Sequence, residues 1–281
     1  MNTDKVIITA ALTGAVTPKE KNEYIPLTPA EIAEDAYKCW QAGAAIVHLH
    51  MRDENSNGTM DKERFRETIR LLREKKDCDV VINCTSSGEG TASDERRMAH
   101  MRELDGIEIG TYDAGTFNWM PSGVFMNSPA FLETLGKVYL QRGIKPELEI
   151  FDAGMLGIAN YYHEQGILTA PMHFQLCLGV LGGMPATVEN LVYLVNHLPA
   201  GSTWSAFGVG KGHLPILYAT LALGGHVRVG LEDNVYYSKG VKATNCQLVE
   251  RAAKAVCLFG KRPATSGEAR EILGLKPLGL V

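Results

Sequence analysis

Ala44-Ala45-Ile46-Val47-His48-Leu49-His50 is a short apolar run that ends in two histidines one residue apart. Side chains alternate between the two faces of a β-strand, so His48 and His50 are expected to point the same way. Two neutral imidazoles aimed at one point at the end of a strand are typical of half a metal site. The alternative is a pair of core histidines whose ring nitrogens are satisfied by backbone groups. The rest of the chain decides between these two interpretations.

The composition excludes several classes of function. The 281 residues are 45% hydrophobic and 21% charged, which is typical of a soluble globular protein with a sizeable core. A formal net charge of -4 argues against a general nucleic-acid binder. No signal peptide or membrane-spanning segment is evident, and the 6 cysteines form no CxxC pair. We therefore expect a cytoplasmic protein with reduced thiols, no membrane partner and no cysteine zinc cluster.

Strand-like apolar runs alternate with helical patterns along the whole chain. The predicted strands are 6–11, 44–50, 80–84, 106–109, 147–151, 173–178, 203–207 and 226–229. The predicted helices are 28–43, 61–75, a helix that begins at 93, 129–143, 188–197, 212–223 and 242–259. Thr28, Pro29 and Glu31 form a capping-box pattern at the start of the first helix.

About eight strand–helix units in one chain predict an α/β fold, a TIM (β/α)8 barrel. No linker, repeat or low-complexity segment divides the sequence, so we predict one domain over residues 1–281 with a C-terminal tail. The alternative is a doubly wound open sheet. That fold usually has fewer units and a glycine-rich nucleotide turn after its first strand, and Thr13-Gly14-Ala15 is not such a turn.

Active sites of TIM barrels lie at the carboxyl ends of the strands. His48 and His50 end the second predicted strand, and Glu232 follows the eighth. Both strands flank strand one in a closed barrel, so the three side chains can converge on one ion and leave a coordination position open. This pattern predicts a catalytic zinc site. The alternative for Glu232 is a solvated loop carboxylate.

Arg228 has the same strand parity as His226 and is predicted to point into the barrel. A buried guanidinium needs a carboxylate partner, and Asp233 is the nearest in sequence. The pair is either a structural ion pair or a catalytic couple that takes a proton from a carbon acid whose oxygens bind the metal. We expect His226 to pack in the core rather than bind the ion.

Three further loops follow predicted strands and face the same end of the barrel. The loop with Thr85, Ser86 and Gly88 offers hydroxyl and N–H groups suited to a substrate carboxylate, and Thr116 adds another donor. Gly210 and Lys211 precede a helix at a frequent phosphate-holding position of barrels, which suggests CoA as the ligand. Each of these loops is also compatible with an ordinary turn.

Several motifs together resemble the β-keto acid cleavage enzymes, nearly end to end and in order. They are TAALTGA at 9–15, VHLHMR at 47–52, DAGT at 113–116, LGGM at 181–184 and GHVRVGLEDN at 225–234. The resemblance implies a TIM barrel with one Zn²⁺ per subunit and a homo-oligomer, a tetramer or a dimer. It implies a reaction that joins a β-keto acid and acetyl-CoA to give acetoacetate and a new acyl-CoA.

The resemblance also implies roles for individual residues. Metal ligands fall on His48, His50 and Glu232, and the Asp–Arg couple falls on Asp233 and Arg228. The carboxylate-holding positions fall on Thr85, Gly88 and Thr116.

One position departs from the pattern of the family members that cleave 3-keto-5-aminohexanoate in lysine fermentation. Those members carry a glutamate in the loop after strand one that pairs with the substrate amine, and Val16 stands there in this chain. Valine offers a cation no charge-assisted partner. Asp152, at the end of strand five, is expected to compensate in part. The keto acid is therefore 3-keto-5-aminohexanoate or a related compound.

Two other functions remain open. Amidohydrolase-like hydrolases also use an HxH pair in a barrel, but on strand one, with histidines on strands five and six and an aspartate on strand eight. Strand one has no histidine here, and His173 begins strand six at the end remote from the site. The second alternative is a non-catalytic binding protein that keeps the barrel.

Overall fold

The computed structural model describes residues 4–276, and these form a closed barrel of eight parallel strands in which each strand pairs with its neighbours in sequence. The strands are β1 (Ile8–Ala11), β2 (Ile46–Leu49), β3 (Val81–Cys84), β4 (Ile109–Asp113), β5 (Lys145–Ile150), β6 (His173–Leu178), β7 (Thr203–Gly208) and β8 (His226–Val229). Since β8 also pairs with β1, the sheet closes and the predicted TIM barrel is confirmed. Residues 277–281 of the predicted tail lie outside the described residues.

Helices cover the outside of the barrel after the strands. They are α1 (Pro29–Gln41), α2 (Lys62–Arg73), α3 (Asp94–Glu103), α4 (Pro129–Arg142), α5 (Gly154–Glu164), α6 (Val188–Asn196), α7 (His213–Leu223), α8 (Asn245–Leu258) and α9 (Ser266–Leu273). The capping box at Thr28 and Glu31 is present as predicted. In the described part of the chain, no helix combines the length and apolarity needed to cross a membrane.

Three elements differ from the sequence predictions, and one of them is α9, which lies in the predicted C-terminal tail. Strand four begins at Ile109 rather than at Gly106, because Gly106 has a left-handed φ of 84° and belongs to the turn after α3. The strand ends at Asp113, four residues after its predicted end at Ile109. Helix α5 was not predicted, because Gly154 and Gly157 interrupt its helical pattern.

The amino ends of the strands are closed by the last part of the chain. A short strand, Lys5–Val6, pairs with Arg262–Pro263, and α9 follows it. Ala269 and Leu273 of α9 pack in one apolar cluster with residues near the starts of the first four strands. This packing leaves the carboxyl ends of the strands as the open end of the barrel.

Candidate active site

The structure brings the three predicted metal ligands together at the open end. The ligand atoms of His48, His50 and Glu232 all lie within 4.8 Å of one another. Nε2 of His48 is 3.5 Å and Nε2 of His50 is 3.4 Å from Oε1 of Glu232. These separations are long for hydrogen bonds but close to the value of about 3.3 Å between two ligands of a tetrahedral zinc with bonds of about 2.0–2.1 Å.

The state of these side chains also fits a cation. Burial lowers the pKa of His50, so its ring stays neutral with a free lone pair. Burial by itself raises the pKa of Glu232, but His50, His48 and Arg228 hold it well below the usual range. The other carboxylate oxygen of Glu232, Oε2, is buried and has no hydrogen-bond partner. A buried charged oxygen without a partner is costly, so the site is suited to a metal ion.

Two glycines allow Glu232 to approach the end of β1. A Cβ on Gly14 would lie 2.7 Å from Cγ of Glu232, and one on Gly230 would lie 1.9 Å from the carbonyl oxygen of Ala11. The backbone N–H of Glu232 donates to that same carbonyl at 3.2 Å. The loop after β8 is therefore fixed against β1, which places the carboxylate beside the two histidines.

Arg228 lies inside the barrel and contacts three carboxylates. Its Nε and Nη2 donate to Asp233 at 2.9 and 3.0 Å, as expected for the predicted couple. Nη2 also donates to Oε1 of Glu232 at 2.7 Å, and Nη1 donates to Oε1 of Glu149 at 2.8 Å. The guanidinium packs over the ring of Phe207, with 4.6 Å from Cζ to the centroid. One cation thus joins the base candidate, the metal ligand candidate and a third acid.

The acids on β4 and β5 were missed by sequence reasoning. Burial, and then the charge of Asp113, raises the pKa of Glu149 well above its usual range, and the two side chains hydrogen-bond. Burial and Asp113 thus favour the protonated form of Glu149. Burial also raises the pKa of Asp233, which makes it a stronger base than a solvated carboxylate. The missed signal was the parity of Glu147 and Glu149, which places both acids on one face of a predicted barrel strand.

The loop after β3 lies against the metal ligand candidates. Gly88 has a φ of 139°, and a Cβ there would lie 3.1 Å from Nδ1 of His50. The Thr85 hydroxyl donates to the carbonyl oxygen of Ser87 at 2.8 Å. The Ser86 hydroxyl lies 3.4 Å from Oδ2 of Asp113. Gly88 is thus next to His50, while the hydroxyls of Thr85 and Ser86 are engaged inside the loop and the barrel.

Three other predicted substrate residues lie further out on loops at the same end of the barrel. Thr116 is exposed and its hydroxyl accepts a hydrogen bond from the backbone N–H of Asn127 at 2.8 Å. Val16 is 65% exposed in the loop after β1. Asp152 is exposed after β5, and its Oδ1 accepts from the backbone N–H of Gly154 at 2.9 Å. The structure places none of the three among the buried groups around Arg228.

The predicted phosphate loop follows β7. Gly210 and Lys211 are exposed and begin a short 3-10 turn that leads into α7. The N–H of Gly210 donates to Oδ1 of Asn234 at 2.7 Å, and Nδ2 of Asn234 donates to the carbonyl oxygen of Gly208 at 2.9 Å. This amide ties the phosphate loop to the loop that carries Glu232 and Asp233.

Two histidines of the barrel interior stay away from the candidate metal ligands. Nδ1 of His226 accepts from the backbone N–H of Ile7 at 3.1 Å, which is the core position expected for it. His173 lies 2.8 Å from the hydroxyl of Thr203.

Cys177 is a buried cysteine of the barrel interior. Burial raises the pKa of its thiol well above its usual value, so it is not a ready nucleophile.

Known proteins resemble this chain along its length. Residues 5–275 match the beta-keto acid cleavage enzyme family. A 3-keto-5-aminohexanoate cleavage enzyme of Fusobacterium nucleatum is 43% identical over 275 residues, which cover 97% of this chain and 99% of that protein. A 3-dehydrocarnitine:acetyl-CoA trimethylamine transferase of Rhizobium meliloti is 36% identical over 292 residues, 96% of this chain and 97% of that protein.

A solved structure supports the fold. The ternary complex of ObcA with C4-CoA adduct and oxalate superposes with a TM-score of 0.81, covering 90% of this chain and 68% of that chain at 21% identity. The resemblance at this identity is one of architecture. The match of the family over residues 5–275, together with relatives at 43% and 36% identity, decides the assignment. The chain belongs to the beta-keto acid cleavage enzyme family.

Proposed function

We propose that this protein is a metal-dependent acyltransferase that cleaves a β-keto acid with acetyl-CoA and releases acetoacetate and a new acyl-CoA. The observation that carries the proposal is that the guanidinium of Arg228 contacts both Glu232, a candidate metal ligand, and Asp233, the candidate base. The proposal agrees with the family of the chain and with the acetyl-CoA named for the Rhizobium relative.

His48, His50 and Glu232 would hold one Zn²⁺ per subunit, which when bound supplies Lewis-acid stabilisation of the charge that develops on the oxygens of the keto acid. Asp233 accepts a proton from the carbon between the keto and carboxylate groups, since burial raises its pKa. Arg228 keeps both oxygens of Asp233 oriented through two hydrogen bonds. Asp233 later returns the proton to the corresponding carbon of the departing acetoacetate.

The carboxylate of the keto acid is proposed to bind between the loops after β3 and β4. Gly88 lies against His50 and has no side chain, so its backbone can closely approach a substrate bound beside that histidine. The Thr116 hydroxyl accepts from a backbone N–H and donates to Sδ of Met126 at 3.6 Å, a weak acceptor that a substrate oxygen would replace. Thr85 shapes the loop through its bond to the carbonyl oxygen of Ser87, and the N–H of Ser86 joins the loop to β4 by donating to the Thr111 hydroxyl. Gly210 and Lys211 are proposed to face the phosphates of acetyl-CoA.

The preferred keto acid is proposed to have an uncharged distal group. Val16 offers no charge, and Glu23 of the same loop is paired with Lys242. Asp152 is exposed at the rim and supplies at most a solvated carboxylate. We also propose that the protein is a cytoplasmic homo-oligomer, a dimer or tetramer, with one domain over residues 1–281.

The test is a panel of β-keto acids with uncharged, cationic and anionic distal groups, assayed with acetyl-CoA by release of acetoacetate. A lost charge-assisted hydrogen bond corresponds to about 10–100-fold, so kcat/KM should favour an uncharged acid over 3-keto-5-aminohexanoate by that factor. The Val16→Glu variant should narrow the difference. If the wild type cleaves 3-keto-5-aminohexanoate as well as or better than an uncharged keto acid, the proposed preference for an uncharged distal group is wrong. The proposed phosphate contact is tested separately: Lys211→Ala should raise the KM for acetyl-CoA and leave the KM for the keto acid unchanged.

Two controls address the other functions considered for this barrel. Turnover that needs no thioester would contradict acyl transfer and favour a hydrolase. A purified chain that binds no zinc and turns over no keto acid would contradict both enzymes and favour a binding protein. His50→Ala is the matched variant for the metal analysis and should lose bound zinc.

A further inference from the structure

Arg97 is a buried arginine of α3 that the proposed chemistry does not use. Only 7% of its surface is exposed. Its Nε donates to the carbonyl oxygen of Ser86 at 2.8 Å. Its Nη1 donates to the carbonyl oxygen of Met126 at 2.9 Å, and its Nη2 donates to Oδ1 of Asn127 at 2.6 Å. The face of the guanidinium packs on Phe131, with 3.8 Å from Cζ to the ring centroid. One side chain therefore binds the loop after β3 and the loop after β4 at once.

Asn127 extends the contact of Arg97 to Thr116. Because Oδ1 accepts from Arg97, the amide of Asn127 is oriented with Nδ2 toward the carbonyl oxygen of Gly115, to which it donates at 3.1 Å. The backbone N–H of Asn127 donates to the Thr116 hydroxyl at 2.8 Å. Ser86 is thus held directly by Arg97, and Thr116 is held through one intermediate residue.

The charge of Arg97 is not neutralised by the groups it binds. Its three acceptors are two carbonyl oxygens and one amide oxygen, which are neutral. The acid with the strongest influence on it is Asp113, which also lies near Ser86 and hydrogen-bonds to Glu149. A buried guanidinium bound only to neutral oxygens leaves positive potential beneath the two loops, which favours an anion above them.

We propose that Arg97 is a positioning residue that holds the loops after β3 and β4 at the spacing the substrate carboxylate requires and favours that carboxylate by its charge. This inference rests on the proposed function, because only there do the two loops bind a carboxylate. Lysine cannot replace Arg97, since a single ammonium on a flexible stem does not reach three separate acceptors as the planar fork does. Glutamine keeps some hydrogen bonding but removes the charge.

The experiment compares Arg97→Lys and Arg97→Gln with Arg270→Lys. Arg270 is a matched control, because it is 5% exposed and bonds to Glu108 and to the carbonyl oxygen of Asp79 at the closed end of the barrel. Steady-state kinetics give kcat and KM for each substrate, and hydrogen–deuterium exchange follows residues 84–90 and 115–127. The keto acid in these assays is one with an uncharged distal group that the wild type cleaves.

Both Arg97 variants should raise the KM for the keto acid about tenfold or more, with the KM for acetyl-CoA unchanged. Arg97→Lys should also speed exchange in both loops together, while Arg270→Lys should change neither KM nor this exchange. Equal changes in both KM values, or faster exchange in one loop only, would overturn the proposal. If Arg97→Lys does not fold, Asn127→Ala is the second variant: it removes the acceptor of Arg97 Nη2 and the bond to the carbonyl oxygen of Gly115, so it loosens the loop after β4 and should raise the same KM.

The two proposals fail in different ways. A wild-type protein that cleaves no β-keto acid contradicts the proposed function before any variant is made. Hydrogen–deuterium exchange, which needs no substrate, still tests whether Arg97 holds the two loops together. A wild type that cleaves keto acids normally, beside Arg97 variants that keep its KM, would contradict the role of Arg97 alone.

Discussion

Replacing Arg228 with methionine should destabilise the protein more than most single substitutions. The side chain is buried and bonds to Glu149, Glu232 and Asp233. Methionine is unbranched and of similar length, so it fills much of the space over Phe207 and leaves the loss mainly electrostatic. The substitution therefore isolates the effect of one buried positive charge on the acids around it.

The magnitude follows from which acids are charged. Glu149 depends least on the guanidinium, because burial and Asp113 raise its pKa well above the usual range and so favour its neutral form. Glu232 and Asp233 are the acids that lose a counter-ion, and removal of one partner from a buried ion pair costs about 3–5 kcal/mol. The unfolding entropy is about 2.1 cal/mol/K per residue, or about 0.59 kcal/mol/K for 281 residues, so Tm should fall by about 5–8 °C.

The assay is scanning calorimetry of chelator-treated protein at pH 7 and one fixed protein concentration. Glu149→Gln is the matched control, because glutamine can accept from Arg228 and donate to Asp113 as a protonated glutamate does. This control should be no less stable than the wild type. An Arg228→Met variant whose Tm lies within about 2 °C of the wild type would refute the reasoning, since the two carboxylates would then not depend on the guanidinium.

Two further predictions concern pH and the metal. Because the folded pKa of Glu149 is raised, its contribution to stability is fully present below its unfolded pKa of about 4.5 and is lost as pH rises toward the folded value. Urea unfolding should therefore show the wild type losing stability relative to Glu149→Gln as pH rises from 4.5, and a constant difference would contradict this. Gly88→Ala should weaken zinc binding about 10–100-fold, because the added methyl group would displace His50. Gly90→Ala is the control and should leave the zinc affinity unchanged, since there is open space around Gly90. Zinc affinity is measured by competitive chelator titration, and equal affinities of the two variants would show that Gly88 does not position His50.

The barrel and the convergence of the three candidate metal ligands follow from rules that need no side-chain coordinates. The alternation of side chains puts His48 and His50 on one face, and closure of the barrel makes β2 and β8 the two neighbours of β1. Because Gly230 turns the chain toward β1, Glu232 lies at the end of β1 beside the two histidines. The convergence of these three residues could therefore be predicted from spacing and topology together.

The acids across the barrel could not be predicted in the same way. Two strands, β6 and β7, separate Glu149 on β5 from Arg228 on β8, so neither register nor neighbourhood relates them. Their 2.8 Å contact depends on the length of an arginine that crosses the interior. Asp113 also lies beyond the predicted end of strand four, because the apolar signal at Ile107 placed the start of that strand three residues too early. A contact of this kind is decided by rotamers and interior packing, which the sequence pattern does not specify.

These interior acids give a separate reason for a divalent cation at the open end. Glu232 and Asp233 share the single positive charge of Arg228, which leaves one negative charge. Buried charge of one sign is costly in a low dielectric, and Oε2 of Glu232 is a buried carboxylate oxygen without a hydrogen-bond partner. A dication held by Glu232 and the two histidines would offset this charge, so the network that orients Asp233 also makes the neighbouring site suited to a cation.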